Sequence, residues 1–183
     1  PYIIKKIDGQ YFAGTEKYID VSSLDSNIYH ITCNNLNCKI TNYFHLLKKN
    51  NIYVEIGVKF GGTAGRVLKY SKENNLNLSI NLFEKEPNCC NFLKQKFKND
   101  NNVTIFEGDA AKEINKLNQK YDFVFFDASH HYKIDYPILQ SLIPHLKEET
   151  IIVFDDYHKI EDVQKLVKDF KTQYSEFKNI YTI

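Results

Sequence analysis

From about residue 50 onwards, short apolar runs alternate with segments in which apolar residues recur every three or four positions. The runs contain few polar residues, which is typical of strands buried on both faces of a sheet. They predict six strands: Asn51–Ile56, Leu78–Glu84, Val103–Glu107, Tyr121–Asp127, Thr150–Asp155 and Phe177–Ile183.

The segments between these runs have helical periodicity. They predict helices over Thr63–Lys72, from Pro87 to about Phe97, over Lys112–Leu117, over Tyr136–Leu146, and around Val163, Leu166, Val167 and Phe170. Strands that alternate with helices form a parallel sheet covered on both sides. We therefore expect a doubly wound, mostly parallel α/β fold over residues 51–183.

Residues 1–50 are less periodic and form a separate N-terminal segment. Tyr2–Ile4 and Lys17–Val21 have the composition of short strands, and Thr41–Lys49 that of a helix. We expect this segment to act as a small lid over the edge of the sheet.

Composition and charge narrow the classes of partner. The 183 residues include 24 Lys and Arg against 23 Asp and Glu, a net charge of +1, which is unlike the basic excess of nucleic-acid binders. No apolar run approaches the roughly 20 residues that cross a bilayer, and no leader pattern opens the chain. The four cysteines match no zinc pattern and suit free thiols in a reducing compartment. We expect a cytoplasmic protein that binds neither nucleic acid nor membrane.

A glycine-rich loop, Gly57–Thr63, follows the first strand of the alternation. In open α/β sheets, ligands bind beyond the carboxyl ends of the strands. The acidic residue Glu84 ends the next strand, where a carboxylate can accept both ribose hydroxyls of a nucleoside. A purely structural turn is the alternative. Three residues separate Gly57 from Gly61, so the spacing departs from the dinucleotide fingerprint G-x-G-x-x-G.

Three carboxylates end two later strands: Asp127 ends the fourth, and Asp155 and Asp156 end the fifth. Neighbouring strands lie about 5 Å apart, so these side chains should meet at one rim of the sheet. Such a set repels itself unless protons or a cation intervene, and all-oxygen ligands suit Mg²⁺, Ca²⁺ or Mn²⁺. The alternative is that an aspartate caps the following helix.

A histidine, His130, follows Asp127 by three residues. Its imidazole can take a proton from a hydroxyl near neutral pH, which makes it the candidate general base. His131 is the second candidate and His158 the third. The alternative is that His130 only packs or faces solvent.

The run Glu55–Thr63 resembles motif I of class I S-adenosylmethionine-dependent methyltransferases: an acidic residue, x, Gly, three residues, then Gly. The resemblance implies a Rossmann-like class I methyltransferase fold with S-adenosyl-L-methionine as cofactor. It places cofactor contacts along the chain at Glu55 and Gly57 (amino-acid end), Gly61 and Thr63 (loop), Glu84 (ribose), Asp109 (adenine) and Asp127.

Residues 121–157 resemble the metal-dependent O-methyltransferases, most of all the sugar O-methyltransferases of the macrocin type. In that group an aspartate and a later acidic pair hold the ion, and a histidine three residues past the first aspartate is catalytic. The resemblance therefore implies that Asp127, Asp155 and Asp156 bind a divalent cation, Mg²⁺ by expectation, and that His130 deprotonates a hydroxyl of a vicinal diol. A sugar, a sugar nucleotide or a glycan is the expected acceptor, and a homo-oligomer is compatible with the sequence.

The sequence differs from the resembled enzymes at two places, and two alternative functions share its features. Lys147–Thr150 stands where such enzymes commonly have a Gly-Gly turn, and the sequence offers no seventh, antiparallel strand. An NAD-dependent oxidoreductase or epimerase would share the sheet, and a catalytically silent methyltransferase-like binding module would share the motifs.

Overall fold

A computed structural model describes the backbone of residues 2–7 and 10–15, and residues 39–183 with side chains from residue 40 on. The first two segments form a two-stranded antiparallel sheet of strands β1 (Tyr2–Ile7) and β2 (Gln10–Thr15). The predicted strand at Tyr2–Ile4 is thus longer than expected and gains a partner that the sequence did not suggest. The predicted strand at Lys17–Val21 lies outside the described residues.

Six parallel strands form the main sheet, in the order β5-β4-β3-β6-β7-β8. Their bounds are β3 (Ile52–Ile56), β4 (Ser79–Glu84), β5 (Val103–Glu107), β6 (Tyr121–Phe126), β7 (Leu146–Phe154) and β8 (Ile180–Thr182). All six predicted strands are present, although β7 begins four residues before its predicted start at Thr150 and β8 begins three residues after Phe177. Residues 39–183 add no antiparallel strand to the sheet. The expected doubly wound parallel α/β fold is confirmed.

Five α-helices connect these strands: α1 (Gly62–Glu73), α2 (Pro87–Lys96), α3 (Ala110–Ile114), α4 (Tyr132–Leu142) and α5 (Glu161–Gln173). Three predicted helices differ in their bounds or type. The helix expected over Lys112–Leu117 begins two residues earlier and ends at Ile114. The helix expected over Tyr136–Leu146 begins four residues earlier and gives way to a 3-10 turn at Ile143–His145. The helix expected over Thr41–Lys49 is a 3-10 helix, Lys39–Leu46. No helix in the described part of the chain is long and apolar enough to span a bilayer.

The hydrophobic core lies on both faces of the sheet, because successive strand residues point to opposite sides. In β3, Val54 and Ile56 pack into one cluster with α3, α4 and α5, while Tyr53 packs into the other with α1 and α2. Burial on both faces explains why the strands read as nearly continuous apolar runs.

The segment Lys147–Thr150, which departs from the Gly-Gly turn common in the enzymes it resembles, forms an irregular start to β7. The β6–β7 register shifts between Tyr121 and Phe123. The Thr150 hydroxyl donates to the Tyr121 carbonyl at 2.7 Å and accepts from the Lys147 amide at 2.7 Å. The Lys147 ammonium lies 2.5 Å from Asp122. These contacts hold Lys147–Thr150 in place without glycine. The segment lies at the amino ends of the strands, away from the edge where the candidate site residues are.

Candidate active site

The strand order reverses between β3 and β6, and the candidate residues follow these two strands and their neighbours. The hydrogen-bond ladder continues past the strand ends: the Asp127 amide donates to the Ile56 carbonyl and the Asp155 amide to the Phe126 carbonyl, each at 3.0 Å. Asp127 and Asp155 therefore occupy equivalent positions on adjacent strands. This confirms the expectation that their side chains share one rim.

Gly57 allows the loops that follow β3 and β6 to touch. Its φ is +82°, and a Cβ built on it would lie 2.0 Å from the backbone oxygen of Asp127. Only glycine tolerates both this φ and this approach.

The rest of the glycine loop is left-handed at two further residues, Lys59 (φ 51°) and Gly61 (φ 65°). A Cβ on Gly61 would meet Leu93 of α2 at 2.7 Å. From the same helix, the Lys96 ammonium donates to the carbonyls of Phe60 and Gly61 at 3.0 and 2.5 Å. Sequence reasoning missed this contact, by which the last residue of α2 holds the glycine loop in place.

Glu84, for which a ribose-binding role is predicted, ends β4 and faces the glycine loop. It is buried, and Oε2 accepts from the amides of Val58 (3.1 Å) and Lys59 (2.6 Å), while Oε1 accepts from the Glu86 amide (2.9 Å). The carboxylate therefore holds the loop in place, and only lone pairs left over from these bonds are available to a ligand.

The remaining residues expected to contact the cofactor have different surroundings. Glu55 is buried in the strand and accepts from the Tyr53 hydroxyl at 2.9 Å. Asp109 is exposed and caps α3 by accepting from the Ala111 amide at 3.0 Å. Thr63 lies half-buried in the first turn of α1, beside the loop.

The rim brings together Asp127, His130 and Asp155, whose potential ligand atoms all lie within 4.8 Å of one another. Nε2 of His130 lies 3.1 Å from Oδ1 of Asp127, yet this buried nitrogen has no well-directed hydrogen bond. Two carboxylate oxygens on one side of a site fit a divalent cation, and the buried nitrogen lone pair beside them can either bind such an ion or accept a proton, but not both at once.

The environment of the rim shifts the pKa values of Asp127, His130 and Asp155. The contact with the Asp127 carboxylate raises the pKa of His130. Burial raises the pKa of Asp127, and the contact with His130 opposes this. Burial and then the negative charge of Asp127 raise the pKa of Asp155. The fold thus places three ionisable groups with shifted pKa values in a partly desolvated environment, which is a feature of functional sites.

Asp156, the third expected ligand, is not in this group. Its backbone is left-handed (φ 52°), and Oδ1 lies 2.5 Å from the Lys159 ammonium. The two alternative histidines are also elsewhere: His131 is the exposed residue before α4, and exposed His158 packs edge-on against Tyr157.

Asp135, which sequence reasoning missed, supports the loop that carries His130. It is buried in the first turns of α4, and Oδ1 accepts from the Ser129 amide (3.0 Å) and the Ser129 hydroxyl (2.7 Å). The signal was present: Asp135 occupies the position of an apolar residue in the stripe that continues with Ile138, Leu139 and Leu142.

Residues 54–157, more than half of the chain, match the model of a family described as a methyltransferase domain, and the chain belongs to that family. No curated protein sequence matches the chain significantly. Together with the six parallel strands, the match assigns the class I, Rossmann-like methyltransferase fold. It does not favour the oxidoreductase interpretation.

Solved structures agree on the fold. The O-methyltransferase NovP is 12% identical, with a TM-score of 0.60 and coverage of 75% of this chain and 72% of that chain. An O-methyltransferase described as putative, from Klebsiella pneumoniae, is 16% identical, with a TM-score of 0.58 and coverage of 76% and 70%. The S-adenosylhomocysteine-bound methyltransferase PaMTH1 of Podospora anserina is 20% identical, with a TM-score of 0.53 and coverage of 62% and 48%, so the chain spans about half of its length.

Proposed function

We propose that this chain is an S-adenosylmethionine-dependent O-methyltransferase that uses a divalent cation and methylates a hydroxyl of a sugar or another vicinal diol. The observation that carries the proposal is the rim itself, where the buried Nε2 of His130 faces Asp127 and Asp155. Family membership and the O-methyltransferases among the similar folds support the methyl-transfer class.

The chain's own residues would divide the work by their positions. The glycine loop, held by Glu84 and Lys96, lies at the carboxyl ends of β3 and β4, where this fold class binds its nucleoside. S-adenosylmethionine, when bound, would supply an electrophilic methyl carbon. Asp127 and Asp155 would hold the cation together with Asp156, if the latter leaves Lys159.

His130 would take the proton of the reacting hydroxyl at Nε2, the nitrogen that faces the rim. Asp127 supports this role because its negative charge stabilises the protonated imidazole, which is the direction of the raised pKa of His130. A divalent cation, when bound, would stabilise the alkoxide and orient two neighbouring oxygens. Mg²⁺ is the expected ion, and an acceptor that offers two adjacent hydroxyls suits the geometry of chelation.

The test measures binding and turnover separately. Calorimetry should detect binding of S-adenosylmethionine or S-adenosylhomocysteine to the wild-type chain, and EDTA should leave this binding largely intact. With a panel of sugars, sugar nucleotides and catechols, methyl transfer should require a divalent cation. Full turnover in EDTA would refute the role of the cation. A lack of affinity for both S-adenosylmethionine and S-adenosylhomocysteine would refute the proposed methyltransferase activity.

The role of His130 is tested by His130→Ala, with His131→Ala as the matched control. We expect a rate about 10²–10⁴ lower for His130→Ala, with cofactor affinity retained, because general-base catalysis is worth that much. His131→Ala should stay near the wild-type rate, since that side chain is exposed and outside the rim. A near-native rate for His130→Ala would assign the proton transfer to another group.

A further inference from the structure

Asp156 differs from Asp127 and Asp155, the two carboxylates of the rim, in being paired with a lysine. Its Oδ1 lies 2.5 Å from Nζ of Lys159, three residues later. The turn that makes this contact is closed by the backbone, because the Asp156 carbonyl accepts from the amides of Lys159 and Ile160 at 3.1 Å. The left-handed φ of Asp156 (52°) starts this turn. The pairing of Asp156 with Lys159 is therefore built into the loop between β7 and α5.

The Lys159 ammonium is accessible and can leave. The side chain of Lys159 is 71% exposed, whereas that of Asp156 is only 25% exposed. The pKa of Lys159 is raised, mainly by the hydrogen bond to Asp156, with smaller contributions from Asp155 and Asp127. The positive charge thus interacts with all three carboxylates that end β6 and β7.

We infer that Lys159 is an internal counter-ion that competes with the divalent cation for Asp156 and thereby sets the affinity of the rim for the cation. This inference rests on the proposed function, because it assumes that the rim binds a cation. Without the cation, Lys159 neutralises Asp156. With the cation, Asp156 can turn to the rim only after this ion pair has opened.

The size of the effect follows from the exposure of the pair. An exposed ion pair contributes little to stability, so opening it should weaken cation binding only about 2–5-fold. The ammonium also repels a dication nearby, an effect that depends on salt. Removal of the charge should therefore tighten cation binding by about 2–10-fold at low ionic strength, and by less at high ionic strength.

The experiment uses Mn²⁺ as the probe and follows free Mn²⁺ by electron paramagnetic resonance, a readout that does not depend on turnover. Four full-length chains are titrated: wild type, Lys159→Gln, Lys159→Arg and Lys168→Gln. Lys168 is the matched control, because it is an exposed lysine of α5 whose side chain makes no ion pair among the described residues. We expect tighter binding for Lys159→Gln alone.

A second variant pair identifies Asp156 as the residue that is released. In an Asp156→Asn background at high ionic strength, Lys159→Gln should no longer change the affinity for Mn²⁺, because the two residues act on one contact and salt screens the repulsion that remains. An unchanged or weaker affinity of Lys159→Gln would overturn the inference and leave the proposed function intact. Equal tightening in Lys159→Arg or Lys168→Gln would also overturn it. If no chain binds Mn²⁺, the inference and the proposed cation fail together, whereas cofactor binding still tests the methyltransferase.

Discussion

At the scale of single residues, backbone conformation decides what the functional side chains can do. Gly57, His130 and Asp156 all have φ between 52° and 82°, and each begins or lies in a loop at the carboxyl ends of β3, β6 and β7. Such conformations are disfavoured for residues with a Cβ and persist where the surrounding contacts over-determine them. For His130 these contacts include the bonds from Ser129 to Asp135.

Gly57→Ala is the sharpest test at this scale. A Cβ would lie 2.0 Å from the Asp127 oxygen, which is backbone and cannot turn away, so the two loops must separate. We expect the free energy of unfolding to fall by more than about 2 kcal/mol, together with loss of cofactor binding.

Gly65→Ala is the control for this test in chemical denaturation. Gly65 lies inside α1 with an ordinary φ, and its Cβ would meet only the flexible end of Lys96 at 3.5 Å. This change should be neutral or should stabilise by up to about 1 kcal/mol. Equal effects of the two substitutions would contradict the packing described for Gly57.

At the scale of elements, the ends of helices depend on partners that the local sequence does not contain. α4 begins at Tyr132, four residues before its predicted start, and the Tyr132 amide donates to Asp162 at 2.9 Å. The Tyr132 hydroxyl donates to Asp169 at 2.7 Å, which raises the pKa of Tyr132 to about 12. Both partners belong to α5, about 30 residues later, so the periodicity of α4 could not reveal them.

Asp109 carries a prediction at this scale, because it has both an observed and a proposed role. It caps α3, and Asp109→Ala should lower the free energy of unfolding by about 1 kcal/mol, whereas Asp109→Asn should preserve the cap. If Asp109 also contacts the adenine, both variants should weaken binding of S-adenosylhomocysteine in calorimetry. Normal affinity for S-adenosylhomocysteine in Asp109→Asn would show that the charge of Asp109 has no role in cofactor binding.

At the scale of the whole molecule, the topology collects groups that are far apart in the sequence. The parallel order β4-β3-β6-β7 puts Glu84, Gly57, Asp127 and Asp155 at one edge of the sheet.

The sheet also places the carboxyl groups of Asp127 and Asp155 in a partly buried environment. Burial raises the pKa of Asp127 and Asp155, so folding favours their protonated forms. Their contribution to stability is present at low pH and is lost as the pH rises through the raised pKa values.

A bound cation should offset this loss in the whole molecule. At about 100 times its dissociation constant, Mg²⁺ should stabilise the fold by about 2.7 kcal/mol. For a chain of this length the melting temperature should rise by about 5–10 °C at neutral pH and by less near pH 5, where protons compete with the cation. Differential scanning calorimetry checks this, with Asp155→Asn as the control that loses the shift. Equal melting temperatures in Mg²⁺ and in EDTA would contradict the binding of a cation at the rim.

The sequence by itself determined the class of fold and the neighbourhood of the site. Strands buried on both faces are apolar along their whole length, so their pattern is local and readable, and parallel order then brings Gly57, Glu84, Asp127 and Asp155 to one edge. The prediction of a lid formed by residues 1–50 stays a prediction.

Only the tertiary structure decided which side chains meet at that edge. The direction of a side chain after a strand depends on one backbone angle and on contacts from other elements. Asp156 thus turns to Lys159, Asp109 caps a helix, and Asp135 supports the loop of His130. Each of these partners lies within six residues along the chain, but spacing alone does not say which nearby group a side chain faces, because the backbone angles of the folded loops decide it.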